Sequence, residues 1–161
     1  MTEKTLITKL EMGRAEFAYK CALQGVELKS KVKINDEWYE DDKYAPYVKK
    51  LPSMILSNGL GQTLAFVVSK KKKTKDNYKP GDEQNPKNAY DLIYKQLTDY
   101  LKSDSAARIQ MPKDKRELIE WVISLDSRNY SYVTEEILAF LKWLKRFAEG
   151  MTETMEEEQW M

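Results

Sequence analysis

The chain has 161 residues, 42% hydrophobic and 33% charged, with a formal net charge of +1; that leaves room for one substantial core, so residues 1–161 are expected to form a single helical domain. It contains no histidine and a single cysteine, which excludes the usual zinc sets, an intramolecular disulfide and the common acid–base group that titrates near neutrality. No apolar run approaches bilayer-spanning length and the opening MTEKTLITKLEM lacks a signal-peptide core, so the expectation is a cytoplasmic protein with no membrane partner.

The first helix is expected over about Thr2 to Lys33. Leu6, Leu10, Phe17, Cys21 and Leu28 form its apolar line, opposite the alternating charges of Lys9, Glu16, Lys20, Glu27 and Lys31. Cys21 on that line reads as a small buried hydrophobe. Arg14 sits at the margin, where it either snorkels off the core edge to pair with an acid such as Glu11 or belongs to an outward-facing basic cluster. Ile34 to Asp42 is a turn-like connector whose acids are placed to cap the next helix. Lys43 to Lys50 makes a short helix with Pro46 in its first turn, closed by the cations Lys49 and Lys50.

The most distinctive stretch is Lys49 to Lys70. Leu51, Ile55, Leu56, Leu60, Leu64, Val67 and Val68 recur at helical steps, with Pro52 in the first turn of a helix beginning near Leu51. Beside them runs a strip of small and amide side chains: Ser57, Asn58, Gly61, Gln62, Ala65 and Ser69. Gly59 and Gly61 each cost a helix about 1 kcal/mol against Ala. Two readings are open: a break between two shorter helices, or a contact strip that a neighbouring helix or a sugar–phosphate backbone approaches closely.

Residues 70–88 form a lysine-rich segment, with six lysines between Lys70 and Lys79 followed by Pro80-Gly81, read as a flexible exposed loop. This run contributes to a charge asymmetry: residues 1–79 carry 16 Lys+Arg against 10 Asp+Glu, residues 80–161 carry 11 against 16. Asn85-Pro86 signals the next helix, whose buried line is Ala89, Leu92, Ile93, Leu97, Tyr100 and Leu101. After a connector from Ser103 to Met111, Pro112 opens a helix reaching about Leu125, apolar over a broad arc. The last long helix is expected from about Ser131 to Met151, with Val133, Ile137, Phe140, Leu141, Leu144, Phe147 and Ala148 inward. Lys142, Lys145 and Arg146 form a compact basic patch on it beside Trp143. Residues 152–161 make an acidic tail, read as disordered or a frayed helix. No segment alternates as a strand does, so the fold class is all-α, a compact bundle of five to six helices.

Three segments carry a family likeness: RAEFAY (Arg14 to Tyr19), YAPYVKKLPSMILSNGLGQTLAFVVSK (Tyr44 to Lys70) and TEEILAFLKWLKRFAEGM (Thr134 to Met151). They closely resemble the corresponding stretches of the small subunit of the Cmr complex, the type III-B CRISPR RNA-targeting machine of antiviral defence. The resemblance implies a non-catalytic structural subunit that needs no cofactor or metal. It also implies stacking of several copies as a minor filament beside a backbone subunit, in a ribonucleoprotein with a large polymerase-like subunit, guide RNA and target RNA. Helices presenting cations and amides hold a nucleic-acid backbone by charge and shape, leaving sequence reading to base pairing. The RNA-facing surface expected on this basis comprises Arg14, Lys20, Lys49, Lys50, Asn58, Gln62, Lys70, Lys142, Lys145 and Arg146. The competing readings are a helical protein–protein adaptor or regulator without an RNA role and a metal nuclease built on Glu40, Asp41 and Asp42, acids that helix capping explains better.

Overall fold

In a computed structural model of the chain, residues 3–31, 43–71, 88–103, 107 and 109–160 are described. They form six helices: α1 Glu3–Lys31, α2 Tyr44–Asn58, α3 Leu60–Lys70, α4 Ala89–Leu101, α5 Leu118–Ser124 and α6 Ser127–Trp160. No strand occurs among the described residues, as the helical periodicity requires. The connector residues 34–42, the lysine-rich residues 72–87 with the Asn85-Pro86 signal, and the acids Glu40, Asp41 and Asp42 lie outside the described residues.

The long outer helices α1 and α6 pack along one another, and α2 lies against the other flank of α6. Among the described side chains, α1 buries Ala18, Cys21, Ala22 and Gly25, small residues, while Leu10 and Phe17 of the expected apolar line are half-buried. At Gly25 a Cβ atom would collide with the ring of Tyr44, so glycine there admits a buried tyrosine. The Tyr44 hydroxyl donates to Gln96 Oε1 at 2.5 Å. Gln96 Nε2 in turn donates to the Cys21 carbonyl at 2.9 Å and to Gln24 Oε1 at 3.1 Å. A buried amide with every group engaged ties α1, α2 and α4 together at little cost, whereas an unsatisfied one would be destabilising. Cys21 is buried as expected, and burial, with a smaller contribution from Asp99, pushes its thiol up to about 12.

The central stretch departs from its expected outline. The short helix Lys43–Lys50 and the helix expected from Leu51 are one helix, α2, which runs through Pro52 with Tyr44, Val48, Leu51 and Ile55 buried. It stops at Gly59, whose φ of 88° and ψ of 162° lie in a region that residues with a Cβ rarely occupy. Beyond the break α3 has its own buried line, Leu60, Thr63, Leu64 and Val67; Leu56, before the break and one residue off the line that α2 buries, is 76% exposed and Val68 36%. The break between two helices, one of the two readings of these glycines, falls at Gly59.

Other boundaries also shift with their caps. α4 begins at Ala89 because the Asn88 side chain accepts from the Asp91 N–H at 2.9 Å, and the same amide donates to the Lys70 carbonyl at 2.8 Å, closing α3 onto α4. α5 is shorter than expected, its helix starting at Leu118 rather than Pro112. α6 starts earlier, at Ser127, with Asp126 Oδ1 accepting from the Asn129 N–H at 2.8 Å. Its helical backbone continues to Trp160, through the acidic tail expected to be disordered or frayed.

Candidate nucleic-acid interface

The ten expected RNA-facing residues separate into an interior member, an isolated one and two surface groups. Arg14 is the interior member. Only 9% exposed, it donates through Nε to the Tyr100 hydroxyl at 3.0 Å, through Nη1 to Glu11 at 2.6 Å and through Nη2 to Glu136 at 3.2 Å. Tyr100 also donates to Glu136 Oε1 at 2.6 Å, and Trp143 Nε1 donates to the second Glu11 oxygen at 3.1 Å. Burial opposes the charge of Arg14, but Tyr100 and Glu136 more than offset it and hold the guanidinium above its ordinary pKa. Burial and Glu136 likewise raise the Tyr100 hydroxyl. The expected pairing with Glu11 is present, and the guanidinium is turned inward, where it joins α1, α4 and α6.

Lys20 is isolated. It is exposed and pairs with Glu16 at 3.3 Å on the outer side of α1. Its neighbour Tyr19 is the residue that meets α6, edge-on to Phe147 with ring centroids 5.5 Å apart.

The first surface group lies on α6. Lys142 and Arg146 are exposed one turn apart, and Lys145 is half-buried. Trp143 and Phe147 mark the flank facing α1 through Glu11 and Tyr19. Glu149 marks the flank facing α2, where it lies 3.8 Å from Lys49. Lys145, four residues before Glu149, shares that flank. Lys49 therefore belongs with the α6 patch.

Lys50, the next residue, turns the other way. Its Nζ stands 5.0 Å from the Tyr47 ring centroid, 5.3 Å from Phe66 and 5.4 Å from Tyr90. Lys70, at the end of α3, lies 5.8 Å from the same Phe66 ring. Gln62 is exposed one turn before Phe66, and Asn58 is exposed at the end of α2. Consecutive residues Lys49 and Lys50 thus link the α6 group to the α2–α3 group across the exposed face of α2. None of the ion pairs among the described residues involves Lys50, Lys70, Lys142, Lys145 or Arg146.

The strip of small and amide residues faces outward: Ser57, Asn58, Gln62, Ala65 and Ser69 are all exposed. Gly61 is the exception. The Tyr130 hydroxyl, from the first turn of α6, accepts the Gly61 N–H at 2.8 Å. That N–H is one of the first-turn donors for which α3 itself has no acceptor. The close approach inferred from the glycines is therefore made, at Gly61, by a neighbouring helix.

Sequence reasoning missed Tyr130, the rings around Lys50 and the partners Glu136 and Glu149. Tyr47 and Phe66 were within reach, since they precede Lys50 and Lys70 by three and four residues on one helix face. Tyr90 and Glu136 come from distant parts of the chain and left no local signal.

An all-helical bundle carrying a ridge of cations, most of them without an ion pair among the described residues, defines a class of charged helical module; no helix among the described residues is long and apolar enough to cross a membrane. The family model for CRISPR-associated protein Cas_Cmr5 matches residues 10–151. The chain is 30% identical over 111 residues to the CRISPR system Cmr subunit Cmr5 of Thermus thermophilus, covering 69% of this chain and 76% of that protein. It also superposes on the crystal structure of a CRISPR-associated Cmr5 family protein from the same organism with a TM-score of 0.55 at 22% identity, covering 88% of this chain and 95% of the other, a likeness of fold. The chain belongs to the Cmr5 family, the small subunit of the type III-B Cmr CRISPR complex.

Proposed function

We propose that this subunit is non-catalytic and contributes sequence-independent backbone contacts to guide and target RNA. Several copies stack as the minor filament beside the backbone subunit, with the large polymerase-like subunit in the same cytoplasmic assembly. The observation that carries the reading is the run of exposed and half-buried cations from Lys142, Lys145 and Arg146 on α6, across Lys49 and Lys50, to Lys70 at the end of α3, of which only Lys49 is ion-paired among the described residues. Such a surface gains affinity by releasing counterions from phosphates and carries no base readout. Each copy supplies few contacts, so tight retention arises from stacking. Arg14 enters this account as an interior brace, and Lys20 lies away from the ridge. The apolar side chains Leu56 and Ile123, 76% and 68% exposed, suit contact with a neighbouring subunit or copy.

Reversing Lys142, Lys145 and Arg146 together to glutamate tests the reading. Target-RNA retention by the assembled complex should weaken, most at low salt, while the thermal melt of the subunit is preserved. Unchanged retention across a salt titration removes the α6 patch from the interface.

A further inference from the structure

Lys50 and Lys70 stand beside the same aromatic ring, Phe66, at 5.3 and 5.8 Å from its centroid, and neither is paired with a carboxylate among the described residues. Their neighbour Lys71 shows the usual alternative: it stands 4.4 Å from the Tyr94 ring centroid but also 3.6 Å from Asp91, so its charge is compensated. The rings around Lys50 are fixed in place. Tyr47 stacks on Tyr90 with centroids 4.0 Å apart, Phe66 meets Tyr90 edge-on at 5.6 Å, and Tyr90 is only 6% exposed. Ring faces attract an ammonium group by about 0.5–1 kcal/mol at an exposed site, and unlike a carboxylate they leave its net charge intact. Two ammonium groups beside one ring repel each other, and an anion lying between them relieves that repulsion. Gln62, exposed one turn before Phe66 on α3, is a neutral amide able to bond a ribose hydroxyl or a phosphate oxygen.

We propose that Phe66, backed by Tyr47 and Tyr90, positions Lys50 and Lys70 as a paired contact for one phosphodiester of a single RNA strand, a subsite separate from the α6 patch. The proposal rests on the RNA-contact reading above and assigns the aromatic residues a positioning role within it.

The test is fluorescence anisotropy of the full chain with a short single-stranded RNA of mixed sequence, over a salt series, with a thermal melt of every variant. The double variant Lys50→Gln/Lys70→Gln should bind more weakly, and the slope of log K against log salt should fall by about 0.7, the loss of one neutralised phosphate. Phe66→Leu keeps every charge and should weaken binding about two- to five-fold, the equivalent of one cation–π contact. Lys50→Arg and Phe66→Tyr, which keep cation and ring, should bind as the parent does. An unchanged slope in the double variant, or parental binding by a folded Phe66→Leu, overturns the proposal. If Phe66→Leu does not melt cooperatively, Lys50→Gln against Lys50→Arg decides, and equal binding by those two overturns it. Competition by polyglutamate as effective as that by unlabelled RNA would also overturn it, in favour of an acidic protein partner. If the α6 reversal weakens RNA retention while these variants do not, this subsite alone fails; if neither does, the RNA reading fails with it.

Discussion

Arg14 inside the bundle and Lys50 on its surface are each held by side chains from three helices, with opposite electrostatic results. Glu11 from α1, Tyr100 from α4 and Glu136 from α6 surround Arg14, and two carboxylates consume its charge. Tyr47, Phe66 and Tyr90, from α2, α3 and α4, surround Lys50, and its charge stays available. The first arrangement fixes how helices meet. The second orders a cation and leaves it free to meet an outside anion. A basic residue in this chain is thus to be judged by what holds it, and a count of lysines and arginines along the sequence does not separate the two roles.

The largest effect should come from breaking the interior arrangement. Glu136→Leu leaves a buried guanidinium without its main carboxylate and should destabilise the chain by about 3–5 kcal/mol, measured by denaturant unfolding. The double variant Arg14→Met/Glu136→Leu should recover most of that loss, because both charges then leave the interior together. A single-variant cost no larger than that of a surface substitution would mean that Glu136 does not brace the junction. The same curves should show one cooperative transition, as a single domain requires.

Next in size is the hinge on which the surface arrangement depends. Gly59→Ala places a Cβ at a backbone conformation that costs about 1–3 kcal/mol. It should also disturb the register of α3, and with it the seat of Lys70 on Phe66. An unchanged denaturant midpoint would show that the hinge accommodates a side chain.

An effect confined to alkaline pH belongs to Cys21. Its folded thiol titrates at about 12 against an ordinary 9.0, so the folded chain keeps a proton that the unfolded chain releases. The associated stability is present below pH 9 and is lost as pH rises from about 9 to 12. Cys21→Ala should remove that part of the alkaline loss of stability, seen as a flatter stability–pH curve over this range. The smallest effect is expected at Lys20, whose pairing with Glu16 is exposed. Lys20→Gln should change stability by less than about 1 kcal/mol and leave RNA binding unaltered.

Much of the fold was legible because it is written in local spacing. Leu51, Ile55, Leu60, Leu64 and Val67 fall inward as their periodicity requires, and so do Ile137, Phe140, Leu141, Leu144 and Ala148. Where the reading failed, a backbone event intervened. One glycine at positive φ split the stretch into two helices with separate buried lines, neither of which includes Leu56 or Val68, and the caps at Asn88 and Asp126 moved two helix starts. The candidate interface was legible as a set of segments and much less so residue by residue. Glu11, three residues before Arg14, could be named in advance. Glu136, 122 residues away, could not, and it is the partner that turns Arg14 into an interior group.

The central claim is that Lys50, Lys70, Lys142, Lys145 and Arg146 are held ready, uncompensated, to neutralise RNA phosphates. The most direct measurement is the salt dependence of single-stranded RNA binding by the parent chain and by the variant with all five changed to glutamine. If the five neutralise four phosphates, with Lys50 and Lys70 sharing one, the slope of log K against log salt should become shallower by roughly three, at about 0.7 per phosphate, with the thermal melt intact. A parental slope in the folded variant would contradict the account.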